Sequence, residues 1–167
     1  MVSVLADHET LARARAAVES VCDPELPVLT IADLGVLRDV REGADGRIEV
    51  VITPTYSGCP AMHAIVLDVE AALLGAGLDD AHVTTVLAPA WSSDWLSDEG
   101  RRKLAAYGVA PPAGRAGRRA LFGVDAVACP RCGSAATEQL AAFGSTACKA
   151  QWRCTACREP FDYFKCH

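Results

Sequence analysis

Apolar residues recur along the first hundred positions with two different periods. Over residues 8–21, Leu11, Ala14, Val18 and Val21 fall three or four apart, the spacing of one helix face, and Asp7 stands just upstream as a cap. Pro24 and Pro27 then end that helix. Residues 36–41 and 48–52 change to short Val- and Ile-rich runs that predict two strands, and Gly43-Ala44-Asp45-Gly46 between them has the chemistry of a hairpin turn. A loop over residues 53–59 leads to Pro60 and a second apolar helix through about Leu74, which Gly75 and Gly77 stop. A third strand over residues 82–87, a Trp-bearing loop and a basic helix near 97–107 follow. The order helix-strand-strand-helix-strand-helix predicts an α/β or α+β fold, a small mixed sheet with helices. Trp91, Trp95 and Tyr107 are expected to cover the sheet's edge, with a docking surface as the alternative.

The periodic pattern ends at a segment punctuated by Gly108, Pro111, Pro112, Gly114 and Gly117. This predicts a domain over 1–109, a basic Pro/Gly linker over 110–124 and a small second domain over 125–167. Charge divides the chain in the same way. Residues 1–100 carry a net charge of −12, residues 101–119 carry +6 with no acidic side chain, and residues 120–167 carry +1. The overall −5 argues against a general polyanion binder. At 51% apolar residues the chain can bury a real core, which excludes intrinsic disorder as its class. No apolar run approaches the ~20 residues that cross a bilayer. The first residues lack the basic start and apolar stretch of an export signal, so a cytoplasmic protein without a membrane partner is expected.

Sulfur changes this picture most. Six of the eight cysteines lie in the last 39 residues. In a reducing compartment, clustered thiols read as metal ligands or reactive groups rather than as disulfides. Cys129-Pro130-Arg131-Cys132-Gly133 and Cys154-Thr155-Ala156-Cys157 are two C-x-x-C pairs separated by 21 residues. A two-residue gap lets both thiolates of one turn face a single ion, and two such turns complete a tetrahedron. A closed structural zinc site is expected, with iron as the alternative because sulfur donors alone do not choose between them. So short a segment has little apolar surface, and a bound ion would supply much of its folding energy. Nucleic-acid binding, a common use of such ribbons, has weak electrostatic support here.

Cys148 and Cys166 are left over, with His167 beside the latter. They read either as small apolar residues packed beside Trp152, Tyr163 and Phe164, or as part of a second, transient site with Cys59 or His167. Cys59 itself lies in Thr53-Pro54-Thr55-Tyr56-Ser57-Gly58-Cys59-Pro60. With Pro60 at the first helical position, Cys59 falls at the helix cap, where amides and dipole favour a thiolate able to bind a soft metal or attack an electrophile. An indifferent cap is the bland alternative. His63 could reach Cys59 across one helical turn or stand as an ordinary surface residue. No orienting or oxyanion motif supports a Cys–His hydrolase. Asp23-Pro24-Glu25-Leu26-Pro27 and Ile31-Ala32-Asp33-Leu34-Gly35-Val36 are acidic, rigid loops that read as helix termination, or as a place where Asp23 or Glu25 orients a metal or a basic partner.

At these residues the chain resembles a known family. Asp23-Pro24-Glu25, Ile31-Ala32-Asp33-Leu34-Gly35-Val36 and the run ending in Gly58-Cys59-Pro60 are similar to the iron–sulfur assembly domain of SufT-type factors, over roughly residues 8–107. The added Cys129-Pro130-Arg131-Cys132-Gly133, Gly144-Ser145-Thr146-Ala147-Cys148-Lys149 and Glu159-Pro160-Phe161-Asp162-Tyr163-Phe164-Lys165-Cys166 resemble the phenylacetate-degradation D proteins, encoded with the bacterial phenylacetyl-CoA ring-1,2-epoxidase. The resemblance implies maturation or maintenance of an iron–sulfur centre, in the reductase subunit of that complex, rather than catalysis of epoxidation. It implies a reactive role for Cys59, an acidic loop at Asp23 and Glu25, zinc at Cys129, Cys132, Cys154 and Cys157, and importance for Cys148 and Cys166. A transient iron–sulfur cluster is the second implied cofactor. The epoxidase subunits, and the reductase above all, are the implied partners, with self-association into a homodimer left open. A structural ribbon that stabilises the oxygenase without cluster transfer is the alternative.

Overall fold

A computed structural model describes residues 8–113 and 127–165; Asp7, Cys166, His167 and most of the expected linker lie outside them. The chain divides into two compact units, Met1–Trp91 and Ser92–His167.

The first unit contains α1 (His8–Glu19), β1 (Leu37–Glu42), β2 (Ile48–Ile52), α2 (Ala61–Gly75) and β3 (His82–Thr85). Its sheet has the order β1-β2-β3. β1 and β2 pair antiparallel across the expected turn, where the Gly43 amide donates to the Arg47 carbonyl at 2.7 Å and Gly46 takes a φ of 79°. β2 and β3 pair parallel, and a parallel join needs a crossover, which α2 supplies. Both helices turn an apolar stripe inward: Ala14 and Val18 from α1, and Ile65, Val69 and Leu73, each four residues apart, from α2. α1 packs against β1 and α2, and α2 packs against β3. Val50, Val51 and Ile52 are all buried, so the central strand is covered on both faces. Full burial of each such side chain is worth about 1.5–3 kcal/mol.

Between α1 and β1 the chain is closely tied. Cys22 and Thr30 form an antiparallel bridge, and the Asp23 amide donates to the Leu29 carbonyl at 2.9 Å. Asp23 Oδ1 accepts from the amides of Glu25 and Leu26, both at 2.8 Å. Leu26, Leu29, Ile31 and Leu34 are buried beneath these loops. Trp91 is buried at the end of the unit, and its Nε1 donates to the Leu34 carbonyl at 2.9 Å.

The second unit opens with a 3-10 turn at Ser93–Trp95, then α3 (Asp98–Tyr107), β4 (Val109–Ala110), β5 (Thr137–Ala141), β6 (Lys149–Cys154) and β7 (Pro160–Phe164). The Ser97 hydroxyl caps α3 by accepting from the Gly100 amide at 2.9 Å, and Gly108 ends the helix at a φ of 91°. Arg101 donates to the carbonyls of Ser93 and Pro112, each at 3.0 Å, and Arg102 pairs with Glu99. Two arginines of the basic block are thus used locally, while Arg115, Arg118 and Arg119 lie outside the described residues. Tyr107 is exposed. The sheet has the order β4-β7-β6-β5, with β4 parallel to β7 and the other pairs antiparallel. Its core gathers Ala110, Val127, Cys129, Ala150, Trp152, Cys154, Phe161 and Tyr163. Trp152 and Tyr163 meet edge to face at 5.8 Å. No helix among the described residues is long and apolar enough to cross a membrane.

Candidate functional site

The ribbon's knuckles bring four sulfurs together. In the first, the Cys129 amide donates to the Ser134 carbonyl and the Gly133 amide to the Cys129 carbonyl, both at 2.9 Å, and Gly133 has a φ of 74°. In the second, the Cys154 amide donates to the Glu159 carbonyl at 3.0 Å, and Arg158 has a φ of 66°. Gly133 and Arg158 each follow the second cysteine of their pair, so both turns use a left-handed residue at one equivalent place. A non-glycine residue there is uncommon, which is why only the first turn stands out in the sequence. The Thr155 amide and hydroxyl both donate to the Ala136 carbonyl, at 2.8 and 2.9 Å, fastening the second knuckle to the approach of β5.

The ligand atoms of Cys129, Cys132, Cys154 and Cys157 all lie within 4.8 Å of one another. Cys129 Sγ is 3.8 Å from Cys157 Sγ, and Cys132 Sγ is 3.6 Å from Cys154 Sγ. A tetrahedral ion with Zn–S of ~2.3 Å sets its sulfurs about 3.8 Å apart. The residues therefore fit a four-coordinate metal. Cys129 and Cys154 are buried in the apolar core, whereas Cys132 is exposed. The Cys157 amide, 3.5 Å from Cys154 Sγ, and the Ala156 amide favour the Cys154 thiolate and bring its pKa down to about 6. Cys157 is pushed up to about 12: the Glu159 amide favours its thiolate, but burial and the three neighbouring sulfurs outweigh it. A metal entering the tetrad would displace thiol protons as it binds.

Cys148 is buried at the other end of β6, six positions from Cys154, a separation of roughly 20 Å along an extended strand. Its sulfur lies 3.0 Å from Thr146 Oγ1. Cys148 cannot join the tetrad, and Cys166 and His167 lie outside the described residues.

Cys59 belongs to the first unit. The loop that carries it leaves the carboxyl end of β2, where the Thr53 amide still donates to the Val36 carbonyl at 2.9 Å. Gly58 turns the chain with a φ of 83°, and Cys59, partly exposed, follows. α2 begins at Ala61 with Pro60 as its cap, already at helical dihedrals of −67° and −23°, so Cys59, expected to be the cap, stands one residue before it. The reason is the proline ring, which fixes φ in the helical range and needs no donor partner. No side chain caps α2, and the Cys59 carbonyl accepts from the Met62 amide at 3.2 Å. His63 is exposed on the first turn of α2. Asp23 has its own task in the amide-accepting turn that shapes the Pro24-Glu25 loop. Beside the Cys59 loop lies a cavity of about 170 Å³, with residues 53–57 on one side and Leu87, Ala90 and Trp91 on the other. Only the three-dimensional structure reveals it, because the two sides are thirty residues apart and neither carries a binding motif.

Comparison with known proteins follows the same division. A family model described as iron–sulfur cluster assembly protein matches residues 11–88, and one described as the PaaD zinc beta ribbon domain matches residues 114–165. The first unit is also similar to a crystal structure of a domain of unknown function, DUF59, from Bacillus anthracis. That likeness has 30% identity and a TM-score of 0.52, covering 57% of this chain and 92% of that one. The fold and the sulfur tetrad define an iron–sulfur assembly-type α/β domain joined to a zinc-ribbon-type module. The chain is 46% identical over 151 residues to an Escherichia coli K12 protein provisionally named as the D component of 1,2-phenylacetyl-CoA epoxidase, covering 90% of each. It belongs to the PaaD family. A Porphyromonas gingivalis protein named Fe-S protein maturation auxiliary factor is 35% identical over 86 residues, covering 51% of this chain and 81% of that protein.

Proposed function

We propose that this protein is a maturation factor that helps build or maintain the iron–sulfur centre of a phenylacetyl-CoA epoxidase complex, with the reductase subunit as client. The observation that carries the reading is the position of Cys59. It is a partly exposed thiol on the loop between the central strand and its crossover helix, within the segment matched by the iron–sulfur assembly family. A thiol open to solvent and outside the tetrad can ligate iron while a cluster is built and then give it up. On this reading Cys129, Cys132, Cys154 and Cys157 hold zinc and do no chemistry. Asp23 shapes the acidic loop that presents Glu25 to the client, and Cys148 and Cys166 are counted with Cys59 among the cluster-handling thiols.

Anaerobic reconstitution of the wild type and Cys59→Ser, followed by iron content and visible absorption, tests the proposal. Wild type should hold a weak, oxygen-sensitive cluster and Cys59→Ser should hold little. Equal loading would remove Cys59 from the mechanism. The fit of the four sulfurs to a closed metal favours one second reading, a ribbon that stabilises the oxygenase without handling a cluster. Reductase from cells lacking this protein decides between them: depleted iron supports maturation, whereas full iron with a failed complex supports the scaffold.

A further inference from the structure

The cavity beside residues 53–57 occupies a particular place in the topology. β2 and β3 run parallel, and the residues that wall the cavity follow their carboxyl ends: Thr53 comes directly after β2, and Leu87 two residues after β3. The crevice outside the carboxyl ends of parallel strands is where open α/β sheets accept ligands, because the connecting loops diverge there. The lining holds hydroxyl side chains from Thr53, Thr55, Tyr56 and Ser57 facing Leu87 and Trp91, and no charged residue. Thr53 is buried and its Oγ1 has no hydrogen-bond partner. The cavity lining thus includes a buried hydroxyl whose hydrogen-bonding capacity is unused.

These features select the occupant. A volume of about 170 Å³ admits one small residue together with part of its backbone and is too small for a nucleotide or a ring cofactor. The uncharged lining disfavours a phosphate or carboxylate, which would lose hydration without a counter-charge. A thiol suits it: a short apolar stem, a sulfur that packs well on an aromatic wall, and a weak donor and acceptor for hydroxyls. We propose that the cavity receives a cysteine side chain of the client polypeptide and holds its sulfur beside the loop that carries Cys59. This inference rests on the maturation reading and names the chemistry of the client that the loop selects.

The test is titration of the isotope-labelled full chain with N-acetylcysteine methylamide, anaerobically, read by amide chemical shifts. Saturable shifts are expected at residues 53–57 and 87–91, with N-acetylalanine methylamide and N-acetylaspartate methylamide binding at least roughly fivefold more weakly, the sulfur contact and the charge penalty being lost or added. Thr53→Val preserves shape but removes the hydroxyl and should weaken binding roughly tenfold, the scale of one hydrogen bond. Ala90→Phe, at an exposed position on the rim, should abolish it while the remaining spectrum reports an intact fold. No saturation in the wild type, or equal affinity in Thr53→Val and Ala90→Phe, would overturn the proposal. Cys59→Ser and the reductase separate the two claims. If Cys59→Ser binds the probe yet loads no cluster, both stand; if the wild type loads a cluster but never binds the probe, the cavity proposal alone falls; if reductase from cells lacking this protein keeps its full iron, the maturation reading falls.

Discussion

The two units solve the same problem by different means. The first buries Val18, Leu29, Ile31, Val50, Ile65 and Val69, aliphatic side chains that need no ligand. Among the described residues, the second has a core cluster that includes Cys129 and Cys154, so part of its interior is also part of its sulfur tetrad. In the first unit, removal of apolar surface from water is the main support, and every contact adds a little. In the second, one coordination event organises both knuckles at once. Chemistry is separated accordingly: the sulfurs of the ribbon are committed to one another, and the partly exposed Cys59 remains outside that set.

The strongest way to break this comparison is to remove the metal. Chelation, or Cys154→Ser, should collapse the amide signals of residues 127–165 while those of residues 8–91 persist, because structural zinc is worth about 10–16 kcal/mol to small ribbons. Loss of both sets together would show that the units do not fold independently. Ile65→Ala inverts the experiment. It should cost the first unit about 2–5 kcal/mol in denaturant melts and leave the ribbon's metal content unchanged. Asp23→Ala deprives two amides of their acceptor and should cost about 1–3 kcal/mol, read as a lower melting temperature of the first unit alone.

The smallest effect concerns Glu49 on β2. A hydrogen bond from Thr84, then one from Arg41, holds its carboxyl below the usual carboxylate range. A lowered pKa in the folded state contributes stability that is present above the ordinary carboxylate value and is lost as pH falls through the folded one. Thr84→Val should therefore raise the Glu49 titration midpoint, followed by carboxyl carbon shifts, without touching the ribbon. An unchanged midpoint would leave Arg41 and His82 as the causes.

Much of the first unit could be read in advance because its signals are local. Period-four apolar residues mark α2, the Gly43–Gly46 turn sets the hairpin, and 48–52 gives β2 with the bounds observed. The two C-x-x-C pairs likewise place four sulfurs within reach of one ion. What escaped depends on distant partners. The acidic loop reads as a helix stop, yet its bridge from Cys22 to Thr30 and its buried leucines make it a folded element. β4 is two residues long and exists only because β7 lies beside it. Arg158 hides its left-handed backbone behind a side chain that carries no turn signal. Cys59 was displaced by one position because the cap belongs to its proline neighbour. The cavity needed the carboxyl ends of β2 and β3 side by side.

That two-residue strand has a practical consequence. Val109 and Ala110 precede residues 114–126, yet they pair with β7, and Ala110 is one of the eight members of the ribbon's apolar core. The zinc module is therefore stitched from both sides of that stretch. A protease cutting within it would leave two fragments still holding together, and a piece beginning at residue 125 would expose a raw β7 margin prone to self-pairing. Anyone isolating the module should begin upstream of Ser97, so that the missing stitch travels with it.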